Sequence, residues 1–153
     1  LADQGISGGL VAAPEFWHRF RQDPGLPSLI LAYNEELGVV TDPDWSLMTR
    51  RAAVGDLHTF TLRNLRNALC GFCLCEMRAL TAFKGRRLAF ADNIYVEPRH
   101  RPAGRDILID EVCRYMRDKG ASQFAMHHHA EPACVPPLGA VMTMRVLVKE
   151  LRP

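Results

Sequence analysis

Lysine is nearly missing from this chain: of 19 basic residues only Lys84, Lys119 and Lys149 are lysine, and the other 16 are arginine. Aromatic residues are also sparse, at 8% of 153 residues with only 2 tryptophans and 3 tyrosines. That leaves little material for a base-stacking platform of the kind single-stranded nucleic acids require. No charge sign dominates, since the formal net charge is +2, which excludes a protein that lives by wrapping a polyanion. No apolar run approaches the roughly 18 residues of a membrane span, which excludes an anchored helix. The first residues lack a basic segment followed by an apolar one, so no secretory leader is expected. The 5 cysteines are odd in number and clustered, unlike a secreted disulfide framework. Free thiols in a reducing cytosol are the expectation.

What is present is an ordinary core-forming composition, 48% hydrophobic and 24% charged. A chain of this size buries roughly 70% of its unfolded surface and needs no metal or disulfide to hold together. One domain over residues 1–153 is expected, with residues 1–9 as a flexible lead-in. The charge is uneven, however. Residues 1–62 carry 4 basic and 8 acidic side chains, and residues 63–153 carry 15 and 9. The positive second half, rich in planar arginine forks, invites an anionic ligand.

Along the chain, Pro14 is placed to open a helix whose apolar face is Phe16, Trp17 and Phe20, stopped by Asp23-Pro24-Gly25. Pro27 starts a second helix through Leu29, Ile30, Tyr33 and Leu37, closed by Gly38. Residues 45–56 are ambiguous between helix, strand and loop. From Leu57 the pattern alternates, and three strands follow: 57–63, a turn at Asn64–Asn67, 68–80, a turn at Lys84-Gly85, and 88–96. A helix over about 103–119 carries Leu108, Val112, Tyr115 and Met116 on one face and ends at Gly120. A strand over 123–129 and a last strand over 141–151 complete the order. A strand–helix–strand crossover makes the strand over 123–129 parallel to the third strand, 88–96. The fold class is mixed α/β: an antiparallel meander plus one βαβ crossover.

The most informative stretch is Asp92-Asn93-Ile94-Tyr95-Val96-Glu97-Pro98-Arg99-His100-Arg101-Pro102-Ala103-Gly104-Arg105-Asp106. A strand ends in an aromatic-Val pair, a short Arg/Gly loop follows, and a helix begins at once. Free backbone N–H groups and the positive helix end make such a junction an anion site. This resembles the core motif of the GNAT acyl-CoA N-acyltransferase superfamily. There, a strand ending near Val-x-Pro leads into an Arg/Gln-x-x-Gly-x-Gly/Ala loop. The strand through His127-His128 and the ending Arg145-Val146-Leu147-Val148-Lys149-Glu150-Leu151 follow the same order. Together with Asp-x-Ile-Tyr-Val, they most resemble GNAT-type proteins of tailed bacteriophages, over roughly residues 57–151.

The resemblance implies an acetyl-CoA-dependent N-acetyltransferase acting on a protein or small-molecule amine. By position, Arg101 and Gly104 match the loop's Arg and first Gly. The resemblance then implies that N–H groups near Tyr95 and Val96 meet the pantetheine arm. It likewise implies that those of Ala103, Gly104 and Arg105 meet the pyrophosphate. Asp92 and His128 are the candidate catalytic bases. The sequence departs from the pattern at Pro102, which has no N–H to donate, and at Asp106, whose carboxylate stands in the first helical turn where phosphate belongs. The family's usual Tyr after the fifth strand is also missing from residues 130–137. The alternative is a catalytically inactive GNAT-fold phage protein that acts through protein–protein contacts, as a virion component or a host-factor inhibitor. No nucleic acid, membrane or metal partner is expected. Cys70, Cys73 and Cys75 read as strand packing, with Cys73 and Cys75 on one face and Cys70 on the other. Arg86, Arg87, Arg99, Arg101 and Arg105 read as solvated loop charge or contacts to CoA phosphates.

Overall fold

The computed structural model describes residues 9–38, 40–129 and 144–151. Among them run β1 (Val11–Glu15), α1 (Trp17–Arg21), α2 (Leu26–Leu37), α3 (Trp45–Ala53), β2 (Leu57–Arg63), β3 (Leu69–Ala79), β4 (Arg87–Val96), α4 (Ala103–Asp118), β5 (Gln123–His129) and β6 (Met144–Glu150). The strands form one sheet in sequence order, β1-β2-β3-β4-β5-β6. Every pair is antiparallel except β4 with β5. The mixed α/β class, the meander and the parallel crossover all stand as expected.

The sheet is covered on both faces, and the period of two divides the side chains between them. Cys73, Cys75 and Met77 of β3 join Phe60, Leu62, Ala89, Ala91 and Phe124 beneath Leu108, Val112 and Met116 of α4. Phe72 and Leu74 point the other way, to Phe20 of α1 and Leu26, Leu29 and Tyr33 of α2. Because β3 is buried on both faces, it reads as a nearly unbroken apolar run.

Three expectations are corrected. Pro14 does not open a helix; it lies in β1, opposite Phe60. β1 is the edge of the sheet, where a strand tolerates a residue with no N–H. Phe16 consequently precedes the helix and is exposed at 72%, so it is no part of the core face that Phe20 joins. Residues 45–53, ambiguous in the sequence, are the helix α3, and Asp44 caps it by accepting from the Leu47 N–H at 2.8 Å. Of the nine-residue lead-in, residues 1–8 lie outside the described residues, as do 141–143 of the last strand.

Arg63 ties the first layer together. Its Nη2 lies 2.8 Å from Glu15 of β1 and 2.7 Å from Asp23 in the α1–α2 turn, with all three side chains largely buried. Removing the cation strands two carboxylates in a poorly solvated place. Arg63→Met is therefore expected to cost about 1–2 kcal/mol in urea unfolding, below the figure for fully buried pairs because these groups keep some water. A loss within 0.3 kcal/mol would count against this reading.

Candidate active site

The parallel pairing of β4 with β5 covers only Leu88–Ala91 against Gln123–Met126. Beyond Met126, β5 continues with β6 to His129, while β4 continues with β3 to Val96. The two central strands therefore part after Ala91, and the far half of β4 has an open edge on the β5 side. The parting coincides with a bulge. Leu74 faces Asn93 while Cys75 faces Ala91, so Asp92 is the extra residue of β4. A bulge of this kind bends a strand and re-aims its side chains.

Hydrogen bonding alternates along an antiparallel strand. The Glu97 N–H donates to the Cys70 carbonyl at 2.9 Å, so the amides of Glu97 and Tyr95 face β3. Those of Ile94 and Val96 face the opening. Of the two amides singled out in the sequence, Val96 thus looks into the gap and Tyr95 does not.

At the end of the opening stands the start of α4. Gly104 is buried there, and a Cβ in its place would lie 2.9 Å from Leu62 Cδ2 and 3.3 Å from Val96 Cγ1. The glycine lets the helix end press directly onto the sheet. The Ala103 and Gly104 amides precede the first intrahelical bonds. The Arg105 amide does not stay available: it donates to the Pro102 carbonyl at 3.0 Å, as does that of Asp106 at 3.2 Å. Pro102 begins the helix with its carbonyl, a task for which its missing N–H is no loss.

Arg101 points away from that helix end. Its Nε donates to the Val96 carbonyl at 2.6 Å and its Nη2 to Glu36 of α2 at 2.7 Å. The guanidinium also lies 5.3 Å from the centroid of the Tyr95 ring. It holds the loop to α2 as it stands. Arg105 has no ion pair among the described residues and is half-buried, while Asp106 is exposed in the first turn.

On the α1–α3 face of the sheet, beside the bulge, lies an apolar cavity of about 180 Å³ lined by Phe20, Ile30, Tyr33, Trp45, Phe72 and Asn93, among others. The Tyr33 hydroxyl donates to Asn93 Oδ1 at 3.2 Å. Burial, reinforced by the Asp92 and Glu36 carboxylates, pushes the Tyr33 phenol up to about 12, so it is neutral at ordinary pH. Asp92, exposed on the bulge, is thus close enough for its charge to act on Tyr33. His128 lies on β5 opposite Arg145, but its side chain is outside the described residues, as is Cys134. Tyr33 and Asn93 were not singled out in the sequence. Tyr33 occupies a regular core position of its helix, and that periodicity gave no sign of a hydroxyl at a site.

A six-stranded sheet that opens between its parallel pair, with a helix start at the end of the opening, is the architecture of the GNAT acetyltransferase fold. Comparison with solved structures agrees. An acetyltransferase of the GNAT family from Staphylococcus aureus Mu50 superposes with a TM-score of 0.62 at 11% identity, over 94% of this chain and 99% of that one. The ribosomal-protein-alanine N-acetyltransferase of Brucella melitensis biovar Abortus 2308 gives 0.59 at 20% identity, over 78% and 80%. The NatC complex bound to Gag peptide and CoA gives 0.60 at 14%, over 82% and 78%. No family model and no curated protein matches the sequence. Among the described residues no helix is long and apolar enough to cross a membrane.

Proposed function

We propose that this chain is an acyl-CoA-dependent N-acyltransferase, with acetyl-CoA as the donor and a protein or small-molecule amine as the acceptor. The observation that carries the reading is the opening between β4 and β5, which runs from the Tyr33–Asn93 pair to the start of α4. A pantetheine arm laid in it would meet the Val96 N–H, and a pyrophosphate at its end would meet the Ala103 and Gly104 amides and the Arg105 side chain. The solved NatC complex, of the same fold, holds CoA, which supports the choice of donor.

In the reaction the acceptor nitrogen attacks the thioester carbonyl, the C–S bond breaks and CoA leaves as a thiolate. The proton lost by the amine goes to Asp92, or to His128 on the neighbouring strand. The thiolate takes a proton from Tyr33, which fills the place of the Tyr missing after the fifth strand. The apolar cavity beside Tyr33 receives the acceptor's side chain.

Calorimetric titration of the chain with acetyl-CoA tests the reading. Saturable binding below millimolar concentration is expected, and its absence would sink the proposal. Asp106→Asn removes a negative charge from the first turn of α4, at the phosphate end of the opening. Charge effects at an exposed helix start correspond to about a two- to fivefold change in affinity, so the variant is expected to bind acetyl-CoA that much more tightly, with the gain shrinking as salt rises. Unchanged affinity would place the phosphates elsewhere.

A second reading, the inactive phage protein acting on a virion or host partner, is favoured by Arg101, whose guanidinium is already engaged by Glu36 and the Val96 carbonyl. Stable capture of a defined partner with no acetyl-CoA binding would select it.

A further inference from the structure

The cysteine run divides in an unexpected way. Cys73 and Cys75 are packed into the face beneath α4, as the alternation predicts, and burial pushes both thiols well up. Cys70 obeys a different rule. Leu62 faces Gly71 and Arg63 faces Leu69, so Cys70 is the extra residue of a bulge in β3 and belongs to neither apolar cluster. It is fully buried all the same. Beside it, from the turn that leads out of β4, come the Glu97 carboxylate and the His100 ring. One thiol sulfur, one carboxylate oxygen and one imidazole nitrogen there all lie within 4.8 Å of one another.

The His100 nitrogen is the telling atom. Nε2 is buried and has no hydrogen-bond partner, and Glu97 Oε2 stands 3.6 Å away. A buried ring nitrogen left unpartnered is costly and calls for an explanation such as a bound ion. The 3.6 Å separation is too long for a hydrogen bond but close to the edge of a tetrahedron whose metal–ligand bonds are about 2.0–2.3 Å.

We propose that Cys70, Glu97 and His100 form a binding site for one zinc-like divalent cation, with the fourth position open to solvent. Sulfur, imidazole and carboxylate together are a donor set that zinc accepts and that calcium or magnesium does not favour. Of the three ligands His100 also lines a surface depression, with Leu10, Asn64, Leu65, Arg66 and Arg99, and that side would give the fourth position its way to solvent. Binding is coordination without redox: the Cys70 proton, now donated to the Ala68 carbonyl at 3.3 Å, passes to solvent, and sulfur binds as thiolate. Arg99, which holds Glu97 Oε2 at 2.8 Å and is 70% exposed, swings into water as the cation takes its place. The site joins the β3 bulge to the turn just before Arg101, so an ion there pins the base of the loop leading into α4. It does not depend on the acyltransferase reading.

The test uses the full chain, reduced and freed of metal, titrated with Co2+ as a spectroscopic stand-in for zinc. One ion per chain is expected, with a near-ultraviolet thiolate-to-cobalt charge-transfer band that Zn2+ abolishes by displacement. Cys70→Ser and His100→Gln are each expected to weaken binding at least tenfold and Cys70→Ser to remove the band, while Cys73→Ser keeps both. The melting temperature should rise with Zn2+ and fall back with chelator in the parent but not in Cys70→Ser. Absence of the band, or a band that survives Cys70→Ser, would overturn the site. If Cys70→Ser fails to fold, His100→Gln decides: unchanged cobalt affinity in it would equally overturn the proposal. Acetyl-CoA binding is read separately, so either proposal can fail without the other.

Discussion

Replacing Gly71 by alanine is expected to lower stability by about 3 kcal/mol, at the upper end of the range for forcing atoms into a packed interior. Gly71 sits near the start of β3, between Leu62 of β2 and Val96 of β4. A Cβ there would stand 2.7 Å from the Tyr95 carbonyl oxygen and 3.2 Å from Val96 Cα. Those are backbone atoms of the central sheet and cannot step aside as a flexible side-chain end can. Relief must come from moving β4 where it borders the opening, which displaces the Val96 amide and the carbonyl that Arg101 holds. For a chain of this length the loss corresponds to roughly 6–12 °C in melting temperature. Acetyl-CoA affinity is expected to fall with it in whatever fraction remains folded. Urea unfolding that places Gly71→Ala within 0.5 kcal/mol of the parent would show that β4 yields freely.

The glycine's role is a case of what the sequence conceals. Its neighbours in the chain say only that a strand continues; the close approach comes from Tyr95 and Val96, more than twenty positions away. By contrast, α2 with its Gly38 closure was legible because apolar spacing and a left-handed terminus are local signals, and Gly38 does adopt φ 66°. The crossover through α4 was legible for the same reason, since Leu108, Val112 and Met116 repeat at helical spacing and are all fully buried. α3 escaped because its apolar face is short: Trp45, Met48 and Ala52 sit at helical spacing and pack on the core, but all three are only partly buried and three positions in nine residues make a weak signal. β1 escaped because Pro14 is an equally good helix opener, and only its place at the sheet edge decides otherwise. In the site, the glycine loop announced itself, but the partners of its residues did not. Arg101 finds Glu36 and Tyr33 finds Asn93 across 65 and 60 positions of chain. The bulges at Cys70 and Asp92 shift the alternation by one and cannot be seen in composition or period.

Tyr33→Phe is expected to lower kcat by about 100-fold, the modest end of what a positioned proton donor contributes, while the KM for acetyl-CoA changes by less than about twofold. The ring stays packed, since phenylalanine keeps the contacts with Phe72 at 6.0 Å and Tyr95 at 5.7 Å. Only the hydroxyl is lost. A phenol pushed up to about 12 is a weak acid at first sight, but part of that shift comes from the ionised Asp92. In the proposed mechanism, where Asp92 takes the amine's proton, its charge would disappear and Tyr33 would become a stronger acid at the moment the thiolate leaves. Burial acts on the departing thiolate in the same sense, raising its proton affinity toward that of the phenol. The same group leaves a signature in stability. Because its pKa is raised from 10.0 to about 12 in the folded chain, its contribution is fully present below pH 10 and is lost as pH climbs from there toward 12. Tyr33→Phe should lack that part of the alkaline decline in urea titrations. Turnover is read as release of the CoA thiol with whichever of a panel of peptides and small amines supports it. A kcat within twofold of the parent would remove Tyr33 from the chemistry and leave it as a packing residue.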